Sequence, residues 1–245
     1  MTFIQGLLLG LLQGLTEFLP VSSSGHLVIA QHLFNITSSS VIFDILVHLA
    51  TGLAIVVVLW SKILKLNKEK IGLIILATIP AALVGFFLNK SIEVIFSSLP
   101  LVGISLIITS LFLFSTRLLK TSTKKLTSKN SFTIGLFQAL AIIPGISRSG
   151  STIVAGLHTG LKPITAFNFS LLLFLPAILG AQLLQLDKVA NIPASQIPTL
   201  IIGFITAFFS GLISLKLLQK IVIKSKLYQF GYYCLILGVI VLILL

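Results

Sequence analysis

The chain has 245 residues, 56% hydrophobic and only 9% charged, with a mean hydropathy of +1.15, values that exclude an ordinary soluble domain and predict an integral membrane protein. Its formal net charge of +12 sits in short separate clusters without aromatic stacking platforms, so nucleic acid is not an expected partner. A single cysteine, Cys234 inside the last apolar run, excludes a disulfide framework and a cysteine metal site and reads as lipid- or core-facing filler.

In chain order, the N-terminal stretch lacks a basic leader region and runs straight into Glu17 and a serine cluster, so it is not expected to be a cleaved signal peptide. It holds an apolar segment broken at Pro20, then Ser22, Ser23, Ser24, Gly25 and His26, then a second short apolar segment. Within the first segment Gly6, Gly10 and Gly14 recur every four residues and predict a smooth face for close helix contact. Apolar runs of bilayer-spanning length follow at Val41–Trp60, Ile71–Leu88 and Leu101–Leu118. A second broken segment, interrupted at Pro144, precedes further runs at Ile164–Leu184, Leu200–Leu215 and Gln229–Leu245, giving about six spans.

The two broken segments are copies. Gly10–Ala30 and Gly135–Ala155 align without gaps at an offset of 125 residues, and eight of their 21 positions are identical, among them Gln13/Gln138, Ser22/Ser147, Ser24/Ser149 and Gly25/Gly150. The mismatches divide the chemistry: Glu17 faces Ile142, Ser23 faces Arg148, and His26 faces Ser151. A backbone break at membrane depth must be buried in protein or line a wet cavity, so both copies read as re-entrant helical hairpins. Phe43-Asp44 and Phe167-Asn168, each preceding a long span, add weak support for two halves.

Charge sets the orientation. Lys62, Lys65, Lys68 and Lys70 form one basic cluster; Arg117, Lys120, Lys124, Lys125 and Lys129 a second; Lys216, Lys220, Lys224 and Lys226 a third. The positive-inside rule assigns all three to the cytoplasm. Three spans then separate the copies, and an odd number inverts one against the other. The expected fold is an all-α integral membrane protein, a single polytopic domain over 1–245 with about six transmembrane helices plus two re-entrant hairpins in an inverted-topology repeat. Its halves are 1–118 and 131–245, joined by a cytoplasmic linker at 119–130.

An ionisable side chain inside an apolar segment is a functional candidate by default. Gln13 and Glu17 are one helical turn apart on one face, and no lysine or arginine occurs in the first 61 residues, so Glu17 needs a cation from the other half or a metal ion. Ser22, Ser23 and Ser24 can cap the following short helix, and one or two of them are expected to do only that. His26, beside these hydroxyls and near a carboxylate, can activate a hydroxyl or water. Arg148, flanked by Ser147, Ser149, Ser151 and Thr152, offers a planar fork for phosphate, and the adjacent backbone N–H groups an anion nest. His32, His48 and His158 stand alone and read as satisfied interior or interfacial side chains. Asp44 opens a span and could cap it; Glu69, Glu93 and Asp187 lie in connections.

At these residues the chain resembles the bacterial undecaprenyl-diphosphate phosphatase family, also called bacitracin resistance proteins. QGLTEFLPVSSSGH at 13–26 is similar to the family's (E/Q)xxxE segment with its serine–histidine continuation, and PGISRSGST at 144–152 to its PGxSRSxxT segment. Length and span pattern extend the resemblance over nearly the whole chain. It implies hydrolysis of undecaprenyl diphosphate to undecaprenyl phosphate and inorganic phosphate, which recycles the carrier lipid for peptidoglycan and other envelope polymers and underlies bacitracin resistance.

The resemblance implies catalytic roles for Glu17, Ser23, His26 and Arg148, with Gln13, Ser22, Ser24, Gly145, Ser147, Ser149, Gly150 and Thr152 binding substrate. It implies a divalent cofactor, magnesium or calcium, on Glu17 and Gln13; an amide at position 13 is a poorer metal ligand than the family's alternative carboxylate. It further implies a multi-pass protein of the bacterial inner membrane, working in the bilayer on a polyprenyl diphosphate; the charge-based topology, which brings the hairpin bearing Glu17 in from outside, places the site on the extracytoplasmic side. A homodimer is compatible with this picture. Serine attack and direct water attack both remain open. The main rival is a lipid flippase or ion-coupled transporter on the same scaffold; a purely structural scaffold explains neither buried charge.

Overall fold

The computed structural model describes residues 1–36, 40–88, 98–119, 122–183 and 193–244. Ten α-helices are seen among them: α1 Phe3–Phe18, α2 Ser23–Leu33, α3 Ser40–Ile63, α4 Lys68–Leu88, α5 Leu99–Ser115, α6 Ser128–Leu140, α7 Arg148–His158, α8 Pro163–Leu183, α9 Ile197–Ile223 and α10 Gln229–Leu244. Among the described residues the one β-type pairing is an isolated bridge between Lys124 and Leu161.

Local chemistry sets the helix ends. Thr2 caps α1 in a reciprocal box: its hydroxyl accepts from the Gln5 N–H at 3.2 Å, and its own N–H donates to Gln5 Oε1 at 2.8 Å, relieving two orphan donors. Ser98, Thr127, Ser22 and Ser147 cap α5, α6, α2 and α7. Asp44, expected to cap the span that it opens, lies within α3, and its carboxylate accepts from Gln31 Nε2 of α2 at 2.8 Å.

Among the described residues five helical stretches are long and apolar enough to cross a membrane: Val41–Ile63, Lys68–Phe87, Leu99–Leu118, Pro163–Leu183 and Ala194–Ile223. The sixth expected span, α10, has 16 described residues. Leu184, Glu93 and Asp187 fall outside the described residues. The run expected at Leu200–Leu215 continues to Ile223 and takes Lys216 and Lys220 into the helix. Lysine is a good helix former, and its stem can lie along apolar surface while the ammonium reaches water.

Lipid tails are as apolar as leucine, so helices here gain little from hydrophobic burial against one another and associate by close packing and hydrogen bonds. The tightest contact is α1 on α9. Gly6, Gly10 and Gly14 face Thr199, Gly203 and Thr206, and Ala207, Ser210 and Gly211 in turn, where any side chain on the glycines would meet α9 backbone. Helix α6 lies against α4 in the same way, with Gly135 against the Ala77 backbone. The other main pairings are α5 with α10 and α3 with α9, while α8 touches α4, α3 and α7. Fully buried Phe18 meets Phe174 edge-on at 6.5 Å between centroids. The outer surface is apolar, with Phe86 and Phe87 about two-thirds and three-quarters exposed (66% and 76%), as a lipid-facing wall requires. Cys234 is fully buried, which places it in the core rather than against lipid.

Candidate active site

The α1–α2 and α6–α7 hairpins meet tip to tip. Ser22 stands at φ 68°, ψ 93°, a region costly for a residue with a Cβ. Its hydroxyl accepts from the Gly25 N–H at 3.3 Å, which caps α2, and from the Gly145 N–H of the other hairpin at 3.1 Å. Gly145, the counterpart of Pro20, has φ +95°, and a Cβ there would lie 2.6 Å from Ser105 Cβ and from the Val102 carbonyl, so only glycine fits. Pro20 has no N–H and cannot return the bond. Instead Ser149 donates to the Leu19 carbonyl at 3.3 Å, and Gly150 packs against Pro20. Ser147 caps α7 through the Gly150 N–H at 3.1 Å.

Each tip is also held by one of the paired helices. Thr109 of α5 donates to the Gly145 carbonyl at 2.8 Å and accepts from the Ser147 N–H at 3.0 Å. Cys234 of α10, 125 residues further on, lies with its sulfur 3.7 Å from the Pro20 carbonyl, as a weak donor.

This contact assembles the side chains around one carboxylate. Glu17, at the end of α1 and 6% exposed, accepts at Oε2 from Ser23 Oγ at 2.6 Å and from Gln13 Nε2 at 2.8 Å. Its Oε1 accepts from Arg148 Nη2 at 2.9 Å. Of the two sources of positive charge expected for Glu17, a cation from elsewhere in the chain or a metal ion, the geometry supplies the first in Arg148 of the second hairpin. Arg148 donates from Nη1 to the Ser170 carbonyl at 3.4 Å, and its guanidinium lies 4.2 Å from the Phe174 ring centroid, a face that attracts cations. Of its five N–H donors, these two bonds leave others for a ligand. Thr152 bonds the Arg148 carbonyl at 2.8 Å and shares a hydrogen bond with Ser170 Oγ at 2.6 Å, bracing the first turn of α7. Ser23 and Arg148 both open helices, so partial positive charge from two N-termini converges here.

Other singled-out residues sit elsewhere. His26 is committed away from the carboxylate: Nδ1 faces the Ser22 carbonyl at 2.8 Å, and Nε2 faces Tyr233 Oη of α10 at 2.7 Å, with the two rings stacked. Among the described residues no hydrogen bond joins it to Glu17 or Ser23. Ser24 is half-buried, 3.3 Å from the Ser22 hydroxyl. His32 is exposed, and exposed His158 pairs with Ser115 at 2.8 Å.

His48 is the departure from its sequence reading, since α3 brings its Nε2 to 3.6 Å from Glu17 Oε2. The available signal was weak: Asp44, His48 and Thr51 lie about a turn apart along one face of an otherwise apolar run. Thr109, Ser170, Phe174 and Tyr233 carried no sequence signal, being ordinary residues of spans.

Residues 6–240 match the family described as bacitracin resistance protein BacA. An undecaprenyl-diphosphatase of Carboxydothermus hydrogenoformans is 42% identical, covering 100% of this chain and 98% of that protein. Proteins of the same name from Desulfosudis oleivorans and Methanococcus maripaludis are 41% and 42% identical; the first covers 96% of both chains, the second 99% of this chain and 100% of the relative. With a family match across almost its whole length and relatives of this identity, the chain belongs to the bacitracin resistance protein BacA family.

Proposed function

We propose that the protein is an undecaprenyl-diphosphate phosphatase, an enzyme that releases inorganic phosphate and returns undecaprenyl phosphate for envelope polymer synthesis. The observation that carries the chemistry is the 2.6 Å hydrogen bond from Ser23 to a carboxylate that also holds Arg148. A hydroxyl donating to a buried carboxylate has its base in place, and a guanidinium beside it marks where phosphoryl oxygens bind.

In this reading Ser23 Oγ attacks the terminal phosphorus as its proton passes to Glu17. The O–P bond to serine forms, the bridging P–O bond breaks, and undecaprenyl phosphate leaves with the bonding pair. Water then attacks the phosphoseryl group, and the serine oxygen recovers a proton. Arg148 and the N–H groups at the starts of α2 and α7 offset charge on the phosphoryl oxygens, largely by position. Ser22, Gly145, Ser149 and Gly150 hold the two tips in register and Ser147 caps α7; Gln13 donates to Glu17, Thr152 braces the first turn of α7, and His26 ties the first tip to α10.

A divalent cation fits this site. Gln13 is fully buried and its Oε1 lacks a partner among the described residues, beside the Glu17 carboxylate; magnesium is commonly held by one or two protein oxygens with phosphates and waters completing its shell. Such an ion, magnesium or calcium by the family resemblance, supplies positive charge to the diphosphate when bound.

The inverted-topology repeat belongs to the same proposal. Its support is the exchange of partners on shifting five helices along the chain: α1 on α9 answers α6 on α4, α3 on α9 answers α8 on α4, and α5 and α10 pair with each other. Thr109 and Cys234, 125 residues apart, approach the carbonyls of Gly145 and Pro20, themselves 125 apart. With the basic clusters inside, the hairpins enter an inner bacterial membrane from opposite faces and the headgroup is processed on the extracytoplasmic side; a homodimer is compatible with this arrangement. The proposal keeps one polytopic domain, halves at 1–118 and 131–245 and a linker at 119–130.

The test is phosphate release from undecaprenyl diphosphate by detergent-purified protein with magnesium or calcium, followed by rapid acid quench. Release with phosphoserine at Ser23, and loss of both in Ser23→Ala, is the expected result. No release refutes the phosphatase, whereas full activity in Ser23→Ala transfers the attack to water.

A further inference from the structure

His48 Nδ1 lies 2.6 Å from the Asp44 backbone carbonyl. A carbonyl oxygen only accepts, so Nδ1 carries the hydrogen, and in the neutral ring Nε2 presents its lone pair. That nitrogen lies 3.6 Å from Glu17 Oε2, beyond hydrogen-bond length. Two electron-rich atoms this close are reconciled either by a proton on Nε2 or by a metal cation shared between them. A second observation is independent of the first: Gln13 Oε1 is buried without a partner among the described residues, on an amide whose Nε2 is 2.8 Å from the same carboxylate oxygen.

We infer that His48 Nε2 is a protein ligand of the divalent cation, alongside Glu17 Oε2 and Gln13 Oε1. Two ligands about 2.1 Å from one ion stand roughly 3.0 to 3.4 Å apart, so the observed separation closes with a shift of a few tenths of an ångström. A half-turn of the Gln13 amide replaces its Nε2 by Oε1 beside the carboxylate and converts a hydrogen-bond donor into a ligand. The Nδ1–H···O=C bond to Asp44 is the outer-shell contact that metal-ligating histidines make, fixing ring and tautomer. Arg148 bonds the opposite carboxylate oxygen, Oε1. A nitrogen donor favours a first-row cation such as Mn2+ over Ca2+. The inference rests on the proposed function only for the diphosphate oxygens that would complete the shell.

Manganese can be observed without substrate or turnover. Purified full-length protein in detergent is titrated with Mn2+ and followed by electron paramagnetic resonance, with electron spin-echo modulation reporting bound 14N. The wild type is expected to bind Mn2+ with histidine nitrogen coupling; His48→Ala and His48→Gln, each with an unchanged melting temperature, lose that coupling and bind at least about tenfold more weakly. Wild-type protein that binds no Mn2+, or binds it without nitrogen coupling, overturns the inference. So does a coupling that survives in both variants, which would assign it to another histidine. Phosphate release by the wild type, measured separately, tells failure of this ligand assignment from failure of the phosphatase reading.

Discussion

Gln13 and Gln138 occupy equivalent positions in the two hairpins and are both buried, yet only Gln13 has a carboxylate one turn away; Ile142 stands where Glu17 would be. Both polar atoms of the Gln138 amide lack partners among the described residues, a burden of about 1–3 kcal/mol for a buried polar group. Gln138→Leu is therefore expected to leave turnover unchanged and raise the melting temperature by about 2–4 °C per kcal/mol gained. Gln13→Leu removes a donor from Oε2 and a candidate metal ligand, so phosphate release should fall by at least about tenfold with no gain in stability. Equal effects in the two variants, in steady-state rate and thermal melt, would show that the asymmetry between the copies has no functional content.

At the scale of elements, the glycine face of α1 was legible because spacing alone predicts which residues share a helical stripe, and Gly6, Gly10 and Gly14 do meet α9. The identity of the partner was not legible: nothing in the local pattern of α1 points to a helix two hundred residues away. The helix breaks near residues 20 and 144 were legible for a different reason, since Pro20 and Pro144 interrupt otherwise apolar runs. His48 was not, because a histidine in a span acquires its role only when the span is placed against another helix. Gly10→Ile should prevent close approach of α1 to α9 and destabilise the protein by about 1–3 kcal/mol. Gly72, exposed on α4 with nothing near its missing side chain, is the control: Gly72→Ala should stabilise by about 0.5–1 kcal/mol. Thr109→Val should loosen the second tip by stranding the Gly145 carbonyl and the Ser147 N–H, with a cost of about 1–3 kcal/mol and a lowered turnover, both read from one denaturation series and one rate assay.

Across the whole molecule, the proposed function rests on two halves of opposite orientation that each bring part of one site. The basic clusters yield a direct check of orientation in cells. In a Cys234→Ala background, single cysteines at Lys65, Lys125 and Lys224 should react with a membrane-impermeant maleimide only after the membrane is opened, and cysteines at Asn35 and Ser195 before. Labelling of Asn35 and Lys65 from the same side would remove the inversion. Glu17 and Arg148 form an ion pair shielded from solvent, so removing either partner leaves an uncompensated charge, typically about 3–5 kcal/mol in cost; substitutions that keep shape or charge are accordingly the informative ones. The most direct measurement is the initial rate of phosphate release from undecaprenyl diphosphate by the wild type, Glu17→Gln, Arg148→Lys and the double variant, each at matched folded fraction. Each single change is expected to cost at least about 100-fold, and the double variant to be little worse than the poorer single, as for groups acting as one unit. A wild-type rate in either single variant, or losses that multiply in the double, would contradict that reading.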